Sequence, residues 1–210
     1  IARRRNFLKS DDWSNFATLA TNQQRGVPGP AVEKPAPPDA PQFDLVPPDR
    51  FSVGAMPLKD TIAQRRSRRK YSEAPLTLEE LSFLLWACQG IEKVMAPFRA
   101  LRTTPSAGCR HPFETYILVN RVEGLAPGLY RYLPVEHKLC LVRSGDGLAA
   151  EMHVASGDQY VIDSAATFVW TVIPYRTEWR YLNHAHRVIL MDAGHLCQNL
   201  YLAAESIGAG

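Results

Sequence analysis

Apolar and polar positions divide the chain into a proline-rich first quarter and a body in which helices and strands alternate. Leu58 to Arg66 has helical spacing. Thr77 followed by Glu80 forms a capping box that opens a second helix through Gln89, closed by Gly90. Glu114 to Asn120 reads as a strand, and Gly128 to Leu133 pairs with Lys138 to Arg143 as a hairpin. Asp146 to Ala155 returns to helix. Thr167 to Ile173, rich in β-branched and aromatic residues, is predicted as a central buried strand. From His186 onward, Ile189, Ala193, Leu196, Leu200, Ala203 and Ile207 recur at three- and four-residue steps. This predicts a long amphipathic helix whose small-and-aliphatic stripe suits either burial or dimer formation. Helices mixed with strands and a hairpin predict an α+β fold, a sheet packed by long helices.

The first quarter has a different character. Nine of the 16 prolines lie between Pro28 and Pro57, which predicts an extended arm, residues 1–57, ahead of a domain over 58–210. Phe43, Leu45, Val46 and Phe51 punctuate the prolines, so the arm is expected to pack on the body. Arg4, Arg5, Asn6, Phe7, Leu8 and Lys9 spell a twin-arginine export motif. The apolar stretch that export needs is replaced by Asp11, Asp12, Trp13, Ser14 and Asn15, and export is not expected.

Composition narrows the class. With 210 residues and 46% hydrophobic content, one domain can bury roughly 70–75% of its unfolded surface. Cys88, Cys109, Cys140 and Cys197 lack paired metal spacing, and reduced thiols in a cytoplasm are the simplest account. No apolar run approaches the ~20 residues needed to span a bilayer, so no membrane partner is expected. A net charge of +3, evenly spread, is too mild for a nucleic-acid surface.

Candidate chemistry lies in three segments. In QRRSRRKY, Gln64 to Tyr71, the side chains of Arg65, Arg66, Ser67 and Arg69 could neutralise a phosphate through charge-assisted hydrogen bonds worth roughly 1.5–3 kcal/mol each. In RTTPSAGCRHPFETYILV, Arg102 to Val119, the residues Pro105, Ser106, Ala107 and Gly108 offer small side chains, a hydroxyl and exposed amides to a closely approaching ligand. Alone, each has an ordinary reading: a solvated helix face, or a tight turn with Gly108 at a special backbone angle. In WRYLNHAHR, Trp179 to Arg187, Arg180 and Tyr181 pair a permanent cation with a phenol, suited to an anionic substrate group or to developing charge. Spacing alone favours a surface arginine and a packed aromatic. His184, His186, His195 and Asp192 do not predict a metal site, because His184 and His186 point to different helix sides. Ser106 has no sequence-encoded base.

Taken in order, these segments resemble the nitroreductase-like flavoprotein superfamily, and within it the SagB-type dehydrogenases, whose best-known members oxidise thiazolines and oxazolines in ribosomal peptides. RRSRRKY resembles the family's phosphate-binding helix end, RTTPSAGCRHPFETYILVN its flavin loop and following strand, VEGLAPGLYRYLPVEHKL its hairpin, and DAGHLCQNLYLAAESIGAG its central dimer helix. The likeness covers roughly Met56 to Gly210, and residues 1–55 resemble the extension of a stand-alone bacterial subgroup. It implies a nitroreductase-like fold, a mixed sheet containing antiparallel strands, and a homodimer. It implies FMN, its phosphate held by Arg65, Arg66, Ser67 and Arg69 and its length lying along Pro105 to Gly108. Two-electron hydride transfer through flavin N5 would occur in a dimer-interface pocket, on a small molecule or peptide, with NAD(P)H as a candidate donor. The family's helix is followed by further strands that reach the flavin and the partner, so the chain is expected to be truncated after Gly210.

Two departures qualify the likeness. Cys109 stands where many members of the wider superfamily have asparagine, and no flavin contact is assigned to it. In azoline-oxidising relatives the dipeptide at 180–181 is Lys-Tyr, the lysine serving as base. Arg180, with a pKa above about 12, is a poor base and a better clamp. Two alternatives stay open: an azoline dehydrogenase working with a separate cyclodehydratase, and a flavin-binding scaffold without turnover.

Overall fold

The computed structural model describes residues 5–157 and 160–210, without the side chains of residues 11 and 12. Its main sheet is built from β1 (Gln42–Asp44), β4 (Phe113–Val119), β5 (Gly128–Leu133), β6 (Lys138–Arg143) and β7 (Ala166–Val172). They lie in the order β1-β6-β5-β4-β7, every neighbouring pair antiparallel. A separate hairpin joins β2 (Ile91–Ala96) to β3 (Arg99–Arg102). The helices are α1 (Leu58–Gln64), α2 (Leu78–Gln89), α3 (Leu148–Ala155), α4 (Tyr175–Tyr181) and α5 (Ala185–Ser206). The expected α+β fold, an antiparallel-containing sheet packed by long helices, is the one observed.

Local chemistry explains the main elements. The Glu80 N–H donates to Thr77 Oγ1 at 3.1 Å while the Thr77 N–H donates to Glu80 Oε2 at 2.8 Å, so the capping box opens α2 as predicted. Leu81 and Leu85 of α2 then meet Ile117, Tyr130, Tyr132 and Leu139 of the sheet in the largest core cluster. Each fully buried side chain of this kind contributes about 1.5–3 kcal/mol. On α5 the apolar stripe turns inward, where Ile189 and Leu196 pack with Cys88 and Phe113. Leu190 and Met191, on its other side, stay exposed.

One sequence expectation changes, and one element was not foreseen. The segment predicted as a central buried strand is β7, at the edge of the described sheet, and its residues are half-buried or exposed. Its bulky residues reflect packing toward helices: Trp170 lies against the α2–α5 cluster and Phe168 against the main core. The β2–β3 hairpin has no clear alternation to announce it, because Glu92, Lys93 and Val94 are all exposed and its register is twice interrupted.

The proline-rich arm is part of this architecture. It supplies β1, which pairs with β6 from Gln42↔Cys140 to Asp44↔Lys138. Upstream, the carbonyl of Val32 accepts from buried Arg102 at 2.6 Å and that of Pro35 from buried Arg131 at 3.0 Å. The Lys34 N–H donates to Glu114 Oε1 at 2.9 Å, on the carboxylate that forms a buried ion pair with Arg176. The arm therefore satisfies charges that would be costly to leave unpaired in the interior. Arg4 of the twin-arginine motif lies outside the described residues.

Candidate functional site

The basic turn begins where α1 ends. Arg65, its C-cap, leaves helical geometry at φ −49°, ψ 124°, and the chain runs on extended through Lys70. Arg68 is engaged structurally: its guanidinium forks onto both carboxylate oxygens of Glu205 in α5, Nη2 to Oε1 at 3.0 Å. That bidentate pair pins the turn to the C-terminal end of α5 and lowers the pKa of Glu205. Its neighbours are differently disposed. The Arg65 guanidinium lies 5.5 Å above the ring of Tyr201, and Arg66 Nη1 donates to the carbonyls of Ala63 and Arg65 at 2.9 and 2.8 Å. Among the described residues no carboxylate pairs with Arg65, Arg66 or Arg69. Ser67 and Arg69 line a cavity of about 750 Å³ whose apolar wall includes Leu84, Phe168, Trp170 and Leu200.

The small-residue loop, between β3 and β4, lies against the middle of α5. Asp192 organises it: Ser106 Oγ donates to Oδ2 at 2.6 Å and the Ala107 N–H to Oδ1 at 3.2 Å. Ser106 Oγ also accepts the His111 N–H at 2.9 Å. Burial pushes the Asp192 carboxyl upward, against the pull of these two donors. His195 Nδ1 is 3.2 Å from the Pro105 carbonyl, the kind of structural hydrogen bond that suits its place in the DAGH motif. Gly108, Cys109 and His111 all have positive φ, at 61°, 54° and 42°, so the loop holds a conformation that most residues avoid.

Arg180 and Tyr181 end α4 directly against this loop. A Cβ at Gly108 would stand 2.7 Å from Arg180 Cδ and 2.9 Å from Tyr181 Oη, so a larger residue, already strained by the left-handed φ of 61°, would have to displace both side chains. A 3₁₀ turn follows over Leu182–His184, with Leu182 at φ 49°, and leads into α5. Arg180 Nη1 donates to Gln23 Oε1 at 2.9 Å, and the guanidinium sits 5.6 Å from the Tyr181 ring centre. Behind it is a second cation, Arg110, stacked at 4.8 Å on Trp179. Burial, then the charges of Arg180 and Arg176, push its pKa down to about 10.

Thus the structure brings Arg180, Tyr181, Ser106 and Gly108 together, and places Arg65, Arg66, Ser67 and Arg69 elsewhere in the same chain. The two groups attach to α5 at Asp192 and Glu205, separated by about 20 Å of helix. Sequence reasoning did not single out Asp192 as the organiser of the loop or Gln23 as the partner of Arg180. An acid within the otherwise small and aliphatic helix face was the one available signal for Asp192, and nothing local marks Gln23. Among the described residues no cluster of three or more His, Cys, Asp or Glu is arranged to hold a metal.

A sheet flanked by long helices, with a basic turn at the end of one helix and a small-residue loop at its middle, defines a class, and comparison with known proteins agrees. The sequence pattern of the nitroreductase family matches residues 62–210, and the chain belongs to that family. It is 36% identical over 154 residues to the protein named "Putative nitroreductase MJ1384" of Methanocaldococcus jannaschii, covering 73% of this chain and 75% of that one. A crystal structure described as a "putative nitroreductase" from Ralstonia eutropha superposes with a TM-score of 0.61 at 28% identity, covering 86% and 81% of the two chains. The chain is also 29% identical over 115 residues to the trifolitoxin-processing protein TfxB of Rhizobium leguminosarum, spanning 51% of this chain but 30% of that longer protein.

Proposed function

We propose that this chain is an FMN-dependent oxidoreductase of the SagB type, with its pocket formed between two copies. The observation that carries the reading is the basic turn. Arg65, Arg66 and Arg69 have no carboxylate partner among the described residues, and the Arg68–Glu205 pair fixes the turn, whose Ser67 and Arg69 line a cavity within the volume range of cofactor sites. Unpaired cations on a fixed frame beside a cavity suit a phosphate. One further feature fits the group: the buried Trp170 indole N–H has no partner among the described residues.

When bound, FMN would supply the redox chemistry, taking a hydride at N5 and passing two electrons to a second substrate. In this proposal Arg65, Arg66, Ser67 and Arg69 hold the phosphate, while Pro105, Ser106, Ala107 and Gly108 present a close, flat surface. Arg180 orients an anionic group, and the Tyr181 hydroxyl, close to Gly108, gives or takes a proton. The separation of turn and loop along α5 supports a homodimer, in which the turn of one copy and the loop of the other frame one pocket. The exposed Leu190 and Met191 offer a face for that contact. Four free cysteines suit a reducing compartment such as the cytoplasm.

The test is flavin content of the full chain. Stoichiometric FMN, weakened by Arg65→Ala, is expected, and a colourless protein that refuses added FMN would overturn the reading. Anaerobic bleaching of the flavin by NADH or NADPH then separates an enzyme from a scaffold without turnover. A second substrate reading is favoured by the trifolitoxin-processing relative: azoline dehydrogenation on a modified peptide, alongside a cyclodehydratase. Arg180 stands where that chemistry uses lysine as base, so this reading predicts that Arg180→Lys increases oxidation of a synthetic azoline peptide.

A further inference from the structure

The first part of the arm packs on the pair Arg180 and Tyr181. Phe16 stacks on the Tyr181 ring with centroids 5.9 Å apart and planes at 25°, and Trp13 meets the same ring edge-on at 6.2 Å. The segment is anchored just after these contacts. The Gln23 N–H donates to the Trp179 carbonyl at 3.1 Å, Asn22 Nδ2 donates to Tyr175 Oη at 3.1 Å, and the Trp179 indole N–H donates to the Val27 carbonyl at 2.8 Å. At its centre Gln23 Oε1 accepts from Arg180. A guanidinium only donates, so the amide must present its oxygen there. No carboxylate among the described residues neutralises Arg180, and Arg110 adds a second positive charge behind it.

We propose that Trp13, Phe16 and Gln23 form a wall of the Arg180–Tyr181 site, and that Gln23 is its specificity-determining residue, selecting a flat substrate group that carries a carboxylate. Gln23 holds the guanidinium in place with a neutral oxygen, leaving its charge and remaining donors for the substrate. A glutamate in the same place would hold it equally well but cancel the charge. The aromatic wall fixes the Tyr181 ring and limits the thickness of what enters. This inference rests on the proposed role of Arg180 as a substrate clamp.

Benzoate and benzamide, alike in shape and different in charge, are the probes, titrated calorimetrically into the full-length protein as purified. Wild type is expected to bind benzoate about tenfold or more tightly than benzamide, the difference one charge-assisted hydrogen bond makes. Gln23→Glu should abolish the preference by weakening benzoate alone, and Gln23→Asn, which keeps a neutral amide, should preserve its direction. Equal binding of the two probes by wild type, unchanged benzoate binding in Gln23→Glu, or equal loss of both probes would overturn the proposal. If Gln23→Glu melts early, Arg180→Gln in the same titration decides, since it too must lose the preference. Flavin content is measured separately, so absence of FMN would remove the redox reading while this comparison still judges the wall.

Discussion

In the proposed site two adjacent side chains, Arg180 and Tyr181, take different tasks. If Arg180 binds a substrate anion in ground and transition state alike, Arg180→Ala should raise KM and lower kcat/KM by roughly 1.5–3 kcal/mol with FMN still bound. Tyr181→Phe should instead lower kcat, because a proton donor acts as charge develops. Steady-state kinetics on flavin-loaded protein distinguish the two, and an equal effect of both variants on KM would refute the division. Gly108 is constrained twice, by its φ of 61° and by Arg180 and Tyr181 across from it. Gly108→Ala should cost about 1–2 kcal/mol in urea unfolding from the left-handed backbone alone, and should displace both side chains.

At the scale of elements, α5 is the frame from which the two halves of the site are held. Asp192 fastens the loop through Ser106 and Ala107, and Glu205 fastens the basic turn through Arg68. The second attachment allows a clean test, since Arg68→Lys keeps the charge and loses the fork. We expect FMN to dissociate more readily by roughly tenfold, about 1.4 kcal/mol, because Arg65 and Arg69 lose their fixed spacing. Equilibrium dialysis with FMN measures this. Unaltered affinity would mean that the turn is ordered by something other than α5.

For the whole molecule, assembly and pH are the informative variables. Leu190 and Met191 are 63% and 59% exposed on α5, and charging them through Leu190→Arg with Met191→Arg should convert a dimer to a monomer and release FMN. Light scattering at micromolar concentration reads the mass. The pH dependence comes from two groups, buried His111 and half-buried Glu33 of the arm. Burial, then the charge of Arg102, pushes the His111 imidazole from 6.5 down to about 3. The unfolded chain therefore takes up this proton first, and the contribution of His111, full above pH 6.5, is lost as pH falls toward 3. Glu33 behaves oppositely. Burial, opposed by the Val135 N–H and reinforced by Glu136, raises it from 4.5 to about 7, so stability is fully present below 4.5 and declines as pH rises through 7. Urea midpoints across pH 3–8 should show the acid-side loss flattened in His111→Gln and the neutral-side decline removed in Glu33→Gln.

What the sequence determined by itself is local or periodic. The capping box at Thr77 and Glu80, the inward stripe of α5 and the hairpin of β5 and β6 depend on nearest neighbours along the chain, and each formed where its residues predicted. The family likeness was legible for the same reason, because the basic turn and the small-residue loop are contiguous motifs. Contacts between distant segments were not legible. Gln23 meets Arg180, Ser106 meets Asp192 and Arg68 meets Glu205 through the path of the folded backbone, and no spacing rule links such positions. The edge position of β7 escaped for a related reason: bulky side chains report that a strand packs, while its neighbours decide whether it is central. Tertiary structure alone decided that carbonyls of the arm accept from buried arginines, that Gly108 faces Arg180, and that the two halves of the candidate site attach to one helix about 20 Å apart.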